Sequence, residues 1–209
     1  MKKCNLAIFA TVVLCLTSQP AAALDKTYVW KLSSNPGQWK IGFNTPAACE
    51  NQMQDGLARW NSSSKFKVAH NGYFSGYIVK DTPNVHISSE PGSRMANGAG
   101  TPAEAPPGSS VGTTKIGTIT VPLIKDADIR MNADIYAAGN YSCGYNATPT
   151  SSQIDYARTV AHEMGHVVGI DDRSGDTGCL THYREQWGKA VQNPCALEAS
   201  LAVNIWGAP

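Results

Sequence analysis

No stretch of this 209-residue chain is apolar for long enough to cross a bilayer. The longest such run, Leu6 to Leu16, is broken only by Thr11 and falls well short of the roughly 20 residues a spanning helix needs. Neither sign of charge dominates, since 17 Lys and Arg face 16 Asp and Glu for a formal net charge of +1. That balance argues against nucleic acid or an anionic membrane surface as a partner. Cys-x-x-Cys pairs are missing, which excludes the usual cysteine-rich zinc sites. There is no internal repeat and no linker, so a single domain is expected. No methionine follows Met164, an absence that matters below.

Lys2 and Lys3, the Leu6–Leu16 run and Ala21-Ala22-Ala23 together form a secretory signal, with cleavage expected near Ala23. Val12-Val13-Leu14 lacks the small residue that a lipoprotein site at Cys15 resembles, so no membrane anchor is expected. Without its two leading lysines the chain's +1 becomes −1. Residues 24–209 are then one secreted or periplasmic domain, large enough for a substantial core. Cys49, Cys143, Cys179 and Cys195 remain. An even number in an exported protein reads as two disulfides, with three possible pairings. Cys179 with Cys195 closes a short loop and is expected first, leaving Cys49 for Cys143. Nothing points beyond a monomer.

Tyr28 to Trp30, with Leu32, alternates like a strand. Thr45-Pro46 has the form of a helix start, and Cys49, Met53, Leu57 and Trp60 share one face of a helix ending near Trp60. Phe66–Val68, Tyr77–Val79, Val85–Ser88, Ile116–Val121 and Ala127–Met131 read as short strands. From Pro91 to Thr114 the residues are mostly small or turn-forming, which predicts a long surface loop. Ser152 through Asp155 resembles a capping box, opening a buried helix over 153–168. Ala196 to Trp206 predicts a last helix, stopped by Gly207.

The chemistry concentrates in His162-Glu163-Met164-Gly165-His166-Val167-Val168-Gly169-Ile170-Asp171-Asp172. Histidines four apart project from one helix face, so both imidazoles reach a single zinc at about 2.0–2.1 Å. Glu163 lies ~100° round the helix from His162, placed to hold a water without binding the metal. Zinc hydrolysis needs that division, because the metal acidifies the water and a carboxylate accepts its proton. Gly169 suits a left-handed helix end. Asp172 then returns with a carboxylate as third ligand, leaving a fourth position for water. Asp171 and His182 are the alternative third ligands.

His-Glu-x-x-His-x-x-Gly-x-x-Asp resembles the zinc signature of the metzincin metalloproteases, in the snapalysin-like variant where aspartate is the third ligand. The helix before Phe66, the Ala127–Asn132 strand and the final Ile205-Trp206-Gly207 are similar to a matrixin-type catalytic domain. The resemblance implies an α+β fold: a mixed twisted sheet with two long helices in an N-terminal lobe, and a small C-terminal lobe ending in a helix. It also implies a secreted zinc endopeptidase with protein or peptide substrates. His162, His166 and Asp172 would hold Zn2+, the family spacing favouring Asp172 over Asp171. Glu163 would act as general base and Tyr183 would assist at the oxyanion. Some relatives bind a structural Ca2+, for which Asp126, Asp128 and Asp134 are the candidates; solvated strand-end carboxylates are the plainer expectation for all three. His70 and His86 carry no motif and are expected to be ordinary surface or strand histidines. Metzincins take their name from a methionine beneath the metal, and here Thr181 falls at that place. Two other functions use the same residues: a zinc-stabilised binding domain without turnover, and a zinc amidase acting on cell-wall peptides. Substrate pairing with an exposed Val85–Ser88 edge is expected. An aspartate ligand predicts a neutral to mildly alkaline activity optimum, because it cancels metal charge and leaves the bound water less acidic.

Overall fold

In the computed structural model the described residues are 28–35, 37–42, 44–78, 85–144, 148–173, 178–182 and 187–209. The expected signal segment and Tyr183 lie outside them. The fold is α+β. Its strands are β1 (Lys31–Leu32), β2 (Gly37–Gly42), β3 (Val68–Phe74), β4 (Val85–Glu90), β5 (Ala103–Glu104), β6 (Ser110–Ile116), β7 (Ile119–Ile124), β8 (Ile129–Asn132), β9 (Tyr141–Ser142) and β10 (Ile154–Asp155). The helices are α1 (Glu50–Ala58), α2 (Ala133–Ala137), α3 (Tyr156–Val168) and α4 (Ala196–Trp206).

β4 is buried along its whole length, as a strand covered on both faces must be. It lies at the centre of a five-stranded sheet of order β3-β2-β4-β8-β5. β3, β2, β4 and β8 run parallel, and β5 closes one edge antiparallel to β8. The expectation that Val85–Ser88 is an exposed edge is therefore wrong: Ile87 and Ser88 bond neighbours on β8, and Trp39 and Ile41 of β2 flank the other side. β1, β7 and β6 form a second sheet.

Several boundaries move for local reasons. Pro46 precedes a 3₁₀ turn at Ala47–Cys49 that leads into α1, and the Thr45-Pro46 cap makes no side-chain bond at the helix start. α1 stops at Ala58, short of Trp60, so only α3 matches the expected pair of long helices. Ser152 is not the cap of α3. β10 intervenes, and Asp155 caps the helix by accepting the Arg158 N–H. Ile116–Val121 spans a hairpin rather than one strand, because Gly117 turns the chain between β6 and β7. Tyr77 and Ile78 lie outside any strand, and Phe66 precedes β3. Pro91–Thr114 is no simple loop, since it carries β5 and the start of β6. The last helix spans Ala196–Trp206 as expected.

α1 and α3 cross closely at Gly56, where a Cβ would stand 2.4 Å from the Ala157 carbonyl oxygen. Met53, Leu57, Trp60, Val160 and Met164 fill the core between these helices and the sheet. Both disulfides pair as expected, with Cα–Cα distances of 4.7 Å for Cys49–Cys143 and 5.0 Å for Cys179–Cys195.

Asp126 and Asp128 are buried rather than solvated. Asp128 accepts the backbone N–H of His86 at 2.8 Å, and burial pushes its carboxyl up to about 8. The unfolded chain releases that proton near pH 4. Its contribution to stability is therefore full below about pH 4 and is lost as pH rises towards 8. Asp128→Asn keeps the acceptor and removes the ionisation. Urea unfolding is expected to find the variant equal to wild type near pH 4 and more stable by on the order of a few kcal/mol at pH 8. A stability difference that does not change with pH contradicts this.

Candidate metal centre

Only two residues of α3 escape burial, and they are His162 and His166. Every other side chain of the helix is packed into the core, so these two imidazoles open onto the cleft above it. Gly169 ends the helix at φ 110° and reverses the chain. The segment that follows forms a single antiparallel bridge between Ile170 and Tyr28 and delivers Asp172 in front of the histidines.

Each imidazole is oriented from behind. His162 Nδ1 lies 2.8 Å from the Leu180 carbonyl oxygen, and His166 Nδ1 lies 2.8 Å from that of Ile170. A carbonyl can only accept, so both Nδ1 atoms donate, and this turns both Nε2 atoms towards the cleft. Both Nε2 atoms face Asp172 Oδ1, which is 3.4 Å from His162 Nε2 and 3.5 Å from His166 Nε2. Donors ~2.1 Å from a tetrahedral zinc stand ~3.4 Å apart, so the donor set fits that ion. Carbonyl partners on the far ring nitrogens are also what metal-binding histidines ordinarily have. Among the described residues, the other cluster of potential donors is Cys179, Cys195 and Glu198. Its sulfurs are already joined to each other. His182 is buried and outside both clusters, and Asp126, Asp128 and Asp134 form no cluster with one another.

Electrostatics follow from burial and proximity. Burial raises the Glu163 carboxyl above its ordinary range, against the pull of both histidines. Burial also disfavours a charged His166, but the hydrogen bond to Asp172 outweighs it and raises the imidazole. Asp172 itself is held far below the usual carboxylate range, because the two imidazole donors overcome its partial burial. Zinc must displace the imidazole proton, so its uptake is expected to release protons and to weaken as pH falls.

The cleft over these residues has a volume of about 1010 Å³. Glu163, His162, His166, Asp171 and Asp172 line its floor, and Ala103 to Pro107 line one wall. Arg130 and the Ala96 N–H hold Glu104 of that wall at 3.0 and 2.7 Å. Trp30 and Trp187 also border the cleft. The 96–107 segment belongs to the Pro91–Thr114 stretch, for which the sequence left a cleft border and a simple insertion both open, and it lines the cleft. Trp187 was not foreseen, because no motif surrounds it. Thr181 is fully buried, with its methyl beside Gly165 of α3. His70 is exposed on β3 and His86 is buried on β4, neither near the cluster.

No protein-family model and no curated protein matches the chain. Among solved structures it is similar to one titled the GM1 bound form of the ECX AB5 holotoxin, at 8% identity and a TM-score of 0.41. That match covers 81% of this chain and 79% of the other, and a likeness so loose bears on neither site nor activity.

The third ligand can be tested directly. Partners behind a metal ligand are worth ~10–100-fold in affinity, so Asp172→Ala is expected to weaken zinc binding by more than about 100-fold. Asp171→Ala and His182→Ala should leave it nearly unchanged. Competition against a chromophoric chelator measures all three, and a large loss in either control would reassign the ligand.

Proposed function

We propose that the protein is a secreted zinc-dependent endopeptidase of metzincin type. The observation that carries this reading is the convergence of His162 Nε2, His166 Nε2 and Asp172 Oδ1 in an open cleft, with Glu163 buried beside them. Zinc bound there supplies a Lewis acid that polarises a carbonyl and acidifies a water. Glu163 takes the proton of the attacking water and passes it to the leaving amine. Its burial suits it to the task, because a carboxylate with a raised pKa is a better proton acceptor near neutral pH. Asp172 and the two oriented imidazoles would hold the metal at the cleft, beside Glu163.

An extended substrate has a natural seat on β5. That strand is the sheet edge, and Ala103 and Glu104 line the cleft, so a peptide can add to it through backbone hydrogen bonds. Export agrees with the two disulfides, and among the described residues no helix is long and apolar enough to cross a membrane.

The test is cleavage of an unfolded protein by residues 24–209. Activity is expected to disappear on removal of metal by a chelator and to return with one equivalent of zinc. A protein that binds one zinc yet leaves unfolded proteins and peptides intact overturns the endopeptidase reading in favour of a binding domain. Release of cell-wall peptides alone points instead to the amidase.

A further inference from the structure

We propose that Glu198, on the last helix, is a positioning residue for His162, acting through the peptide bond between Leu180 and Thr181. The inference rests on the zinc site proposed above.

Glu198 is fully buried. A buried carboxylate is costly unless its oxygens are satisfied, and here each oxygen accepts two donors. Oε2 takes the N–H groups of Leu180 at 3.0 Å and Cys195 at 2.8 Å. Oε1 takes the N–H of Thr181 at 2.6 Å and its hydroxyl at 2.8 Å. Capping α4 needs only the bond from Cys195. The other three come from the segment beneath His162, and they give a helix cap a second task.

The Thr181 N–H and the Leu180 carbonyl belong to one peptide unit, and in a trans peptide they point in opposite directions. The N–H side meets Glu198, and the carbonyl side meets His162 Nδ1 at 2.8 Å. Carboxylate, peptide and imidazole thus form a single relay. Negative charge at the N–H end polarises the amide and makes its carbonyl the stronger acceptor. A stronger acceptor favours the proton on Nδ1 and leaves Nε2 the more basic donor to a metal. Among the described residues, no side-chain carboxylate accepts from the peptide N–H beyond the Ile170 carbonyl, the partner of His166. The two histidines are therefore unequal, with His162 tuned from the far end of the chain. The Cys179–Cys195 disulfide brackets the relay, joining the residue before Leu180 to the cap of α4.

Glu198→Gln places an amide NH2 against two of the four donors and removes the charge. The experiment reads two quantities without any peptide substrate: the ring 15N shifts of His162 and His166 in zinc-free protein, and the zinc dissociation constant. Wild-type His162 is expected in the Nδ1–H form. In the variant its shifts should move towards a mixture of tautomers while those of His166 stay put, and zinc affinity should fall ~10–100-fold. Leu201→Ala, a core truncation on the same helix, is the control for lost stability and should change neither quantity. If Glu198→Gln does not fold, Glu198→Asp withdraws the charge by one methylene and is read in the same way, with a smaller drop.

Unchanged His162 shifts with unchanged zinc affinity overturn the proposal. So does a Leu201→Ala protein that loses zinc equally, because the effect is then one of general stability. A wild type that binds zinc and cleaves nothing overturns the endopeptidase reading and leaves this one standing.

Discussion

Glu163→Gln is expected to lower cleavage of an unfolded protein by about 10²- to 10⁴-fold, the usual worth of a positioned general base, while the variant still holds one zinc per chain. Gln has nearly the shape of Glu and fits the same buried place, yet it cannot accept a proton. The metal ligands are not altered, since Glu163 is not part of the donor cluster. Stability supplies a second readout. Burial raises the Glu163 carboxyl in the folded state, so its contribution falls as pH rises from the unfolded-state value through the folded one. An uncharged Gln escapes that loss, and the zinc-free variant should be at least as stable as wild type at neutral pH. An active Glu163→Gln protein would falsify the assignment of the general base. An inactive one that has also lost its zinc would place Glu163 among the metal's supports instead.

Gly165→Ala is the second large effect. A Cβ at this position would lie 2.3 Å from the Thr181 methyl and 2.9 Å from Cζ2 of Trp60. Neither neighbour moves cheaply. Thr181 is tied to Glu198 through its N–H and hydroxyl, and the Trp60 indole donates to the Ala161 carbonyl at 2.7 Å. Overpacking of this kind costs ~1–3 kcal/mol, and the ~1 kcal/mol by which Ala outranks Gly in helices offsets only part of it. Displacing Thr181 also drags the Leu180 carbonyl from His162, so zinc affinity should fall together with stability. Thr181→Ser removes the offending methyl and keeps the hydroxyl on Glu198. Unfolding of the two single variants and the double variant is expected to reveal coupling of about 1 kcal/mol or more, within the range for residues in contact. Strict additivity would mean that the strain is relieved elsewhere, with Trp60 the first place to look. The Thr181 methyl fits against a helix face bare of Cβ, and its hydroxyl donates to the buried Glu198.

The features legible in the sequence were those encoded within one or two helical turns. The four-residue spacing of His162 and His166 determines that they share a face, and Gly169 is where the helix can reverse. The final helix and the cysteine count are local facts of the same kind. Local signals misled where two structures compete for the same residues. Ser152 had the form of a cap, but backbone pairing of Ile154 with Tyr141 claimed the residues after it and passed the capping role to Asp155. Gly117 carried the turn that a strand reading of Ile116–Val121 overlooked.

Other features exist only once distant segments meet. The burial of β4 follows from its place between β2 and β8, and no alternation within six residues reports which neighbours a strand will have. The cleft wall is built by a stretch of small residues that anchors itself through Glu104 on Arg130. Glu198 carries no local signal of its partners, because its donors lie up to 18 residues away. Periodicity and spacing thus determined that His162 and His166 share one helix face. Tertiary structure alone decided how their rings are aimed, because each Nδ1 donates to a carbonyl that only the folded backbone brings within reach.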